Sequence, residues 1–213
     1  MPTQIYKTKD GKRVTGVTTI ISGNLGWSKN ALMYWAWNEG IEGRNYRDTS
    51  QKAADIGTIA HAMIEADLKG RKYDSSIIPA DMLNKAENAY LAWLEWKDIV
   101  GFDLLGSELA LVSEEYHYGG CLDIAAIKKV PCIVDLKTSG GVYGDHLIQI
   151  AAYGNLYNEH HPDAPIQGYY LLRLGKEDAS FHYHYWPTLP EAWEAFKCLL
   201  TLHQLKSMIN KQV

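Results

Sequence analysis

Residues 119–153 read GGCLDIAAIKKVPCIVDLKTSGGVYGDHLIQIAAY. Two apolar runs of strand length, Ile124–Ile127 and Cys132–Leu136, flank a short turn centred on Lys129, and a helix-like segment follows. Asp123, Asp135 and Lys137 lie inside these otherwise apolar patterns. A buried charge without a partner is costly, so such runs tolerate carboxylates only where a cation answers them. If the two runs pair across the turn, Asp123 falls opposite or nearly opposite Asp135, with Cβ atoms roughly 4.5–5.5 Å apart. The strand period of two then puts Lys137 on the same face as Asp135. A slip of one residue would send one aspartate to the other side. Two oxygen donors beside an ammonium suit Mg²⁺, which keeps several waters and takes one or two carboxylates plus substrate phosphates.

Working outward, the 213 residues suffice for one substantial core, and the net charge of -4 argues against broad coating of nucleic acid without excluding a local basic groove. Cys121, Cys132 and Cys198 form no CxxC pattern and read as reduced cysteines of an intracellular protein. No apolar run approaches the roughly eighteen residues of a membrane span, and the stretch MPTQIYKTKDGKR lacks an apolar signal core. A soluble, cytoplasmic chain is expected, with no membrane partner. Tyrosine and tryptophan outnumber phenylalanine by 21 to 3. Such rings fill the edges of a core, and they also stack on single-stranded bases.

At the N-terminal side, Asp10–Gly11 reads as a hairpin turn and Val17–Ile21 as extended. KNALMYWAWNEG reads as a helix, and the polar 41–50 stretch, with Arg44 and Arg47, as a phosphate-facing loop or a solvated connector. A helix from about Ser50 to Leu68 places His61 and Glu65 on one face at i,i+4, with Gly57 one turn earlier. By itself that spacing also describes an ordinary helix-surface pair, and the HExxH zinc signature is absent. A long helix from Pro79 to Val100 carries Leu83, Ala86, Tyr90 and Leu94 as its apolar stripe. The period then changes to two over 104–115, where Glu108 sits between Ser107 and Leu109. The helix of 144–159 aligns Gln149 with Tyr153. Two further strands follow, and a last helix opens at a capping box of Thr188 and Glu191. There is no GxxxxGKT and no GxGxxG, so neither an ATPase nor a dinucleotide enzyme is indicated.

The ordered series GT-x-x-H-x-x-x-E (Gly57, Thr58, His61, Glu65), a strand glutamate (Glu108), G-x-x-D (Gly120, Asp123), D-x-K-T (Asp135, Lys137, Thr138) and Q-x-x-x-Y (Gln149, Tyr153) resembles the PD-(D/E)xK nuclease superfamily. It is most similar to the RecB-like and mitochondrial genome-maintenance exonuclease branch, with phage and bacterial members. The resemblance covers about residues 57–153 and extends to Val17 with the TTIIS and LMYWAWNEG stretches.

The resemblance implies an α/β (α+β-like) fold: a restriction-endonuclease-like core, its central mixed sheet flanked by helices, behind a helical N-terminal part. It implies one nuclease domain over residues 1–213, with 1–48 as an extension and 49–213 as the core. The implied activity is a Mg²⁺- or Mn²⁺-dependent DNA exonuclease working on single strands or ends in recombination, repair or phage DNA processing. The alternatives are a structure-specific or nicking endonuclease of the same fold and a catalytically silent DNA-binding or assembly module. By position, Asp123, Asp135 and the carbonyl of Leu136 would hold the metal and Lys137 would orient the attacking water. His61 would contribute to a metal or the scissile phosphate, and Glu65 would support it or a second cation. Glu108, Thr138, Gln149 and Tyr153 would support the site or the substrate. Some relatives carry a cysteine-bound iron–sulfur cluster; the three cysteines here imply none. The implied partner is DNA; no helicase motif is present, so the chain would act as a free-standing nuclease or recruit a helicase or recombination protein.

Overall fold

The computed structural model describes residues 4–212. The first half contains β1 (Tyr6–Lys7), β2 (Arg13–Gly16), α1 (Val17–Asn24), α2 (Lys29–Ile41), α3 (Tyr46–Leu68) and α4 (Ala80–Val100). The second half contains β3 (Asp103–Val112), β4 (Tyr118–Lys128), β5 (Val130–Lys137), α5 (Gly144–His160), β6 (Tyr169–Leu174), β7 (Phe181–Trp186) and α6 (Pro190–Ile209). The chain divides into two compact units: one of residues up to 25, 99–173 and 182 onward, the other of residues 26–98 and 174–181.

The first unit is built on a mixed sheet of seven strands among the described residues, in the order β1-β2-β4-β5-β6-β7 with β3 on the remaining edge of β4. The pairs β1–β2, β3–β4 and β4–β5 are antiparallel, and β2–β4 and β5–β6 are parallel. The β1–β2 turn falls at the expected place, with Gly11 at φ +84°. Helices α1, α5 and α6 supply Val17, Ile20, Ile148, Ala152, Leu156 and Phe196 to a core shared with Tyr118, Leu122 and Ile133 of the sheet. Tyr118 is fully buried, and its hydroxyl donates to the Ala152 carbonyl at 2.9 Å, so α5 is tied to β4 by packing and by a satisfied polar atom. This is the expected mixed sheet flanked by helices, with helices also preceding β3.

Two local expectations are corrected. Val17–Ile21 is helical, not extended. Its β-branched residues favour strands only weakly, and burial of Val17, Ile20 and Ile21 follows the helical spacing of three and four. The Thr188–Glu191 capping box does not form: α6 begins at Pro190 after Leu189, because proline with its preset φ takes the first helical turn.

The second unit is helical. The buried stripe of α3 is Ile56, Ala60 and Ile64, spaced by four. On α4 the buried residues are Ala86, Ala89, Ala92, Trp93 and Trp96, so the tryptophans and small residues face inward in place of Leu83, Tyr90 and Leu94. Asp67 of α3 accepts from the Trp93 indole at 3.1 Å and from the Lys97 ammonium at 2.8 Å on α4. Glu39 of α2 accepts from Arg44 through two parallel bonds, 2.9 and 2.7 Å, and from the Thr49 hydroxyl of α3 at 2.7 Å. Arg44 also pairs with Glu42, so its guanidinium serves the α2–α3 connector.

These hydrogen bonds from Arg44, then Thr49, hold the Glu39 carboxyl at about 2, well below its ordinary 4.5. A depressed carboxyl contributes stability that is complete above about 4.5 and is lost as pH falls toward 2. Glu39→Gln therefore lowers the thermal midpoint at pH 7, and the gap to wild type narrows between pH 4.5 and 2. Circular-dichroism melts across that range check it; a gap independent of pH would refute the assignment.

Candidate active site

Strand β4 is paired along one edge by β3 through Gly119–Ile127. On the opposite edge β5 covers Ile124–Lys128 and β2 covers Tyr118–Gly119. Among the described residues, that edge has no ladder partner between Gly119 and Ile124. Asp123 lies at this opening. Its Oδ2 accepts from the Leu136 backbone N–H at 2.7 Å, just past the last residues of β5 that pair with β4. The side chain thus substitutes for a strand where β4 and β5 part.

The ladder register Ile124↔Val134, carried one step further, sets Asp123 opposite Asp135. Asp135 is 1% exposed, and Lys137 Nζ lies 2.5 Å from its Oδ2. Burial works to lower the Lys137 pKa, but Asp135, Asp123 and Asp145 outweigh it and hold the group above its ordinary value. The ammonium is therefore charged and aimed at the carboxylates.

On the β3 side, Ser107↔Ile124 and Leu109↔Leu122 set Glu108 opposite Asp123. A Glu108 oxygen and an Asp123 oxygen lie within 4.8 Å of each other. Glu108 has φ +50°, the left-handed region, which costs a side-chain-bearing residue about 1–2 kcal/mol. The Cys121 thiol donates to Glu108 Oε2 at 3.4 Å. Three adjacent strands therefore present Glu108, Asp123 and Asp135 at one level, with the Lys137 ammonium paired to the row's buried end. The donor set is oxygen-rich and net negative, which fits a hard divalent cation.

Helix α5 braces this group. Gln149 Nε2 donates to the Tyr153 hydroxyl at 2.8 Å, and the Thr18 hydroxyl of α1 lies 3.5 Å from the same nitrogen. Burial first, then Asp135 and Asp123, push the Tyr153 phenol up, so it remains protonated. Sequence reasoning missed His146, although it precedes Gln149 by three and Tyr153 by seven residues on the same helix face. Burial and the neighbouring Lys137 lower its pKa to about 4, which keeps it neutral, and Nδ1 accepts from the Tyr143 backbone N–H at 3.3 Å. Beside Tyr153 and Gly120 opens a cavity of about 600 Å³, lined also by Arg13, Thr18 and His203.

The first unit thus brings together Glu108, Asp123, Asp135, Leu136, Lys137, Gln149 and Tyr153, and Thr138 follows β5 half-buried. His61 and Glu65 belong to α3 of the helical unit. There His61 is half-buried, and the Glu65 carboxylate pairs with Lys69 one turn on, with Arg71 at 3.9 Å. No described helix is long and apolar enough to cross a membrane.

No protein-family model and no curated protein matches the chain. Among solved structures, it is similar to LHK-Exo in complex with dAMP at 12% identity and a TM-score of 0.46, covering 76% of this chain and 88% of that one. The alkaline exonuclease LHK-Exo from Laribacter hongkongensis gives a TM-score of 0.40 at 12% identity with the same coverage. SSO0001 gives 0.37 at 17% identity over 62% of this chain and 61% of that one.

The Gly120 of G-x-x-D is explained by packing. A Cβ built there would meet the Tyr153 ring at 2.7 Å and Leu156 at 2.9 Å. Gly120→Ala must displace a buried ring from a close-packed layer, and it costs about 1–3 kcal/mol. Denaturant unfolding of G120A and G120A/Y153A checks this: the double variant loses less than the sum of the two single variants. Strict additivity would show that the ring is not what the glycine accommodates.

Proposed function

We propose that this protein is a metal-dependent deoxyribonuclease of the PD-(D/E)xK kind, an exonuclease acting on single-stranded DNA or DNA ends. The observation that carries the reading is the buried Asp135–Lys137 pair beside Asp123 at the opening of the β4–β5 ladder. Asp123, Asp135 and the Leu136 carbonyl would hold Mg²⁺ or Mn²⁺, with Glu108 next in the row. When bound, the cation polarises a phosphoryl oxygen and lowers the pKa of its water.

Lys137, charged and fixed by Asp135, donates to the attacking water or to the developing charge on the scissile phosphate. Tyr153, protonated and held by Gln149, braces the carboxylate row beside the adjoining cavity that it helps to line. Neutral His146 keeps a second cation from competing with Lys137 for the acids. His61 and Glu65 enter the proposal on motif order alone, as does Thr138. We read residues 1–213 as working together as one nuclease in recombination, repair or phage DNA processing. A helicase or recombination protein would supply opened strands.

The test is digestion of 5′- and 3′-labelled single- and double-stranded oligonucleotides with Mg²⁺, beside closed circular single-stranded DNA. Linear DNA is degraded and the circle survives; a cut circle would point to an endonuclease. Lys137→Ala and Lys137→Met lower the rate by about 100-fold or more while keeping a native circular-dichroism spectrum. Cleavage by K137A at the wild-type rate would remove Lys137 from the site.

A further inference from the structure

The helical unit has a cavity of its own, about 560 Å³, lined by the start of α3, by α4 and by the β6–β7 connection. Its charged lining is Arg44, Lys52, Lys85 and Lys176 against Asp48 and Glu177. Most of these cations are answered. Arg44 serves Glu39 and Glu42, Lys52 lies 2.5 Å from Asp81, and Lys85 pairs with Glu177.

Lys176 differs. Among the described residues, no carboxylate lies within ion-pair distance of its ammonium. It is half-buried, and its backbone carbonyl is fixed by the Asn88 side chain at 2.9 Å, which anchors the connection on α4. Burial, then the neighbouring Lys85 ammonium, push its pKa below the ordinary lysine value, and Glu177 offsets them only in part. Two lysines line one cavity, their ammoniums influence one another, and one has no carboxylate at ion-pair distance, so an anion between them would relieve the site. Lys85 and Lys52 are 38% and 54% exposed, so the cavity mouth is open to a long ligand.

We propose that this cavity holds a backbone phosphate of a nucleic-acid strand, with Lys176 and Lys85 donating to its oxygens and Lys52 at the rim. The inference rests on the nuclease reading and adds a strand-holding contact of the helical unit that reads no base. Such contacts make affinity salt-dependent, each neutralised phosphate adding about 0.7 to the slope of log affinity against log salt for single strands.

The experiment is fluorescence-anisotropy titration of a labelled oligo-dT strand in EDTA, where no cleavage occurs, at several salt concentrations. Lys85→Gln/Lys176→Gln binds more weakly and loses about 1.4 from the slope if each lysine neutralises one phosphate. Glu177→Gln, which removes an acid from the same wall, binds more tightly. Unchanged affinity and slope in both variants would overturn the proposal. So would inorganic phosphate raising the melting temperature of wild type but not of K85Q/K176Q while their DNA affinities stay equal, because the cavity would then serve a free anion. If wild type degrades DNA with Mg²⁺ and the double variant binds it normally, this inference alone fails. If wild type neither cleaves nor binds DNA, the nuclease reading fails, and this inference with it.

Discussion

A carboxylate buried in a sheet must be answered by charge or by hydrogen bonds, and Asp135 sets that requirement for the first unit. At 1% exposure it has almost no access to water, and Lys137, two residues along the same strand, supplies an ammonium at 2.5 Å. Removing one partner from such a pair typically costs about 3–5 kcal/mol, whereas the intact pair adds little net stability. The arrangement therefore constrains conformation more than it adds stability. It keeps a charged lysine aimed at two carboxylates, against the tendency of burial to neutralise it.

The surrounding backbone is arranged so that this group is not sealed inside the sheet. Strands β2 and β5 share one edge of β4 without meeting on it, and Asp123 satisfies the Leu136 amide in the gap. Gly119 and Gly120 let Tyr6 and Tyr153 close on β4, where any Cβ would come within 2.3 Å and 2.7 Å of those side chains. Glu108 is held in a left-handed conformation at the same level by regular pairing on either side of it. Backbone strain persists where the surrounding structure over-determines it, and here it brings an oxygen of Glu108 within 4.8 Å of one from Asp123.

The helical unit follows the same electrostatic rule with a different result. Glu39 receives donors from the α2–α3 connector and from α3, and Asp67 receives two from α4, so their charges serve packing. Lys176 has no carboxylate within ion-pair distance among the described residues, and burial, then the Lys85 ammonium, outweigh what Glu177 offers it. An unanswered group in a cavity differs in kind from a satisfied one at a helix contact, and only the former invites a ligand.

Much of the site was legible in local pattern. The period of two and a turn centred on Lys129 suggested that Asp123 faces Asp135, and the ladder has that register, with Lys129 at φ +66°. The period of 3.6 placed Gln149 against Tyr153, and the hydrogen bond between them is present. These features depend on neighbours within a few residues or across one hairpin. Others depend on contacts distant in the chain. The helical state of Val17–Asn24 follows from burial against α5 and α6, against the strand preference of its β-branched residues. The inward turn of Trp93 and Trp96, the division into two units and the lysine-lined cavity join segments tens of residues apart. Sequence by itself determined which oxygen-bearing side chains sit in the central strands and that a hairpin joins them, because residue chemistry and strand periodicity are local; the ladder then selected one register of those the sequence allowed. Tertiary structure alone decided which charges are answered, because a counter-ion is chosen by proximity in space.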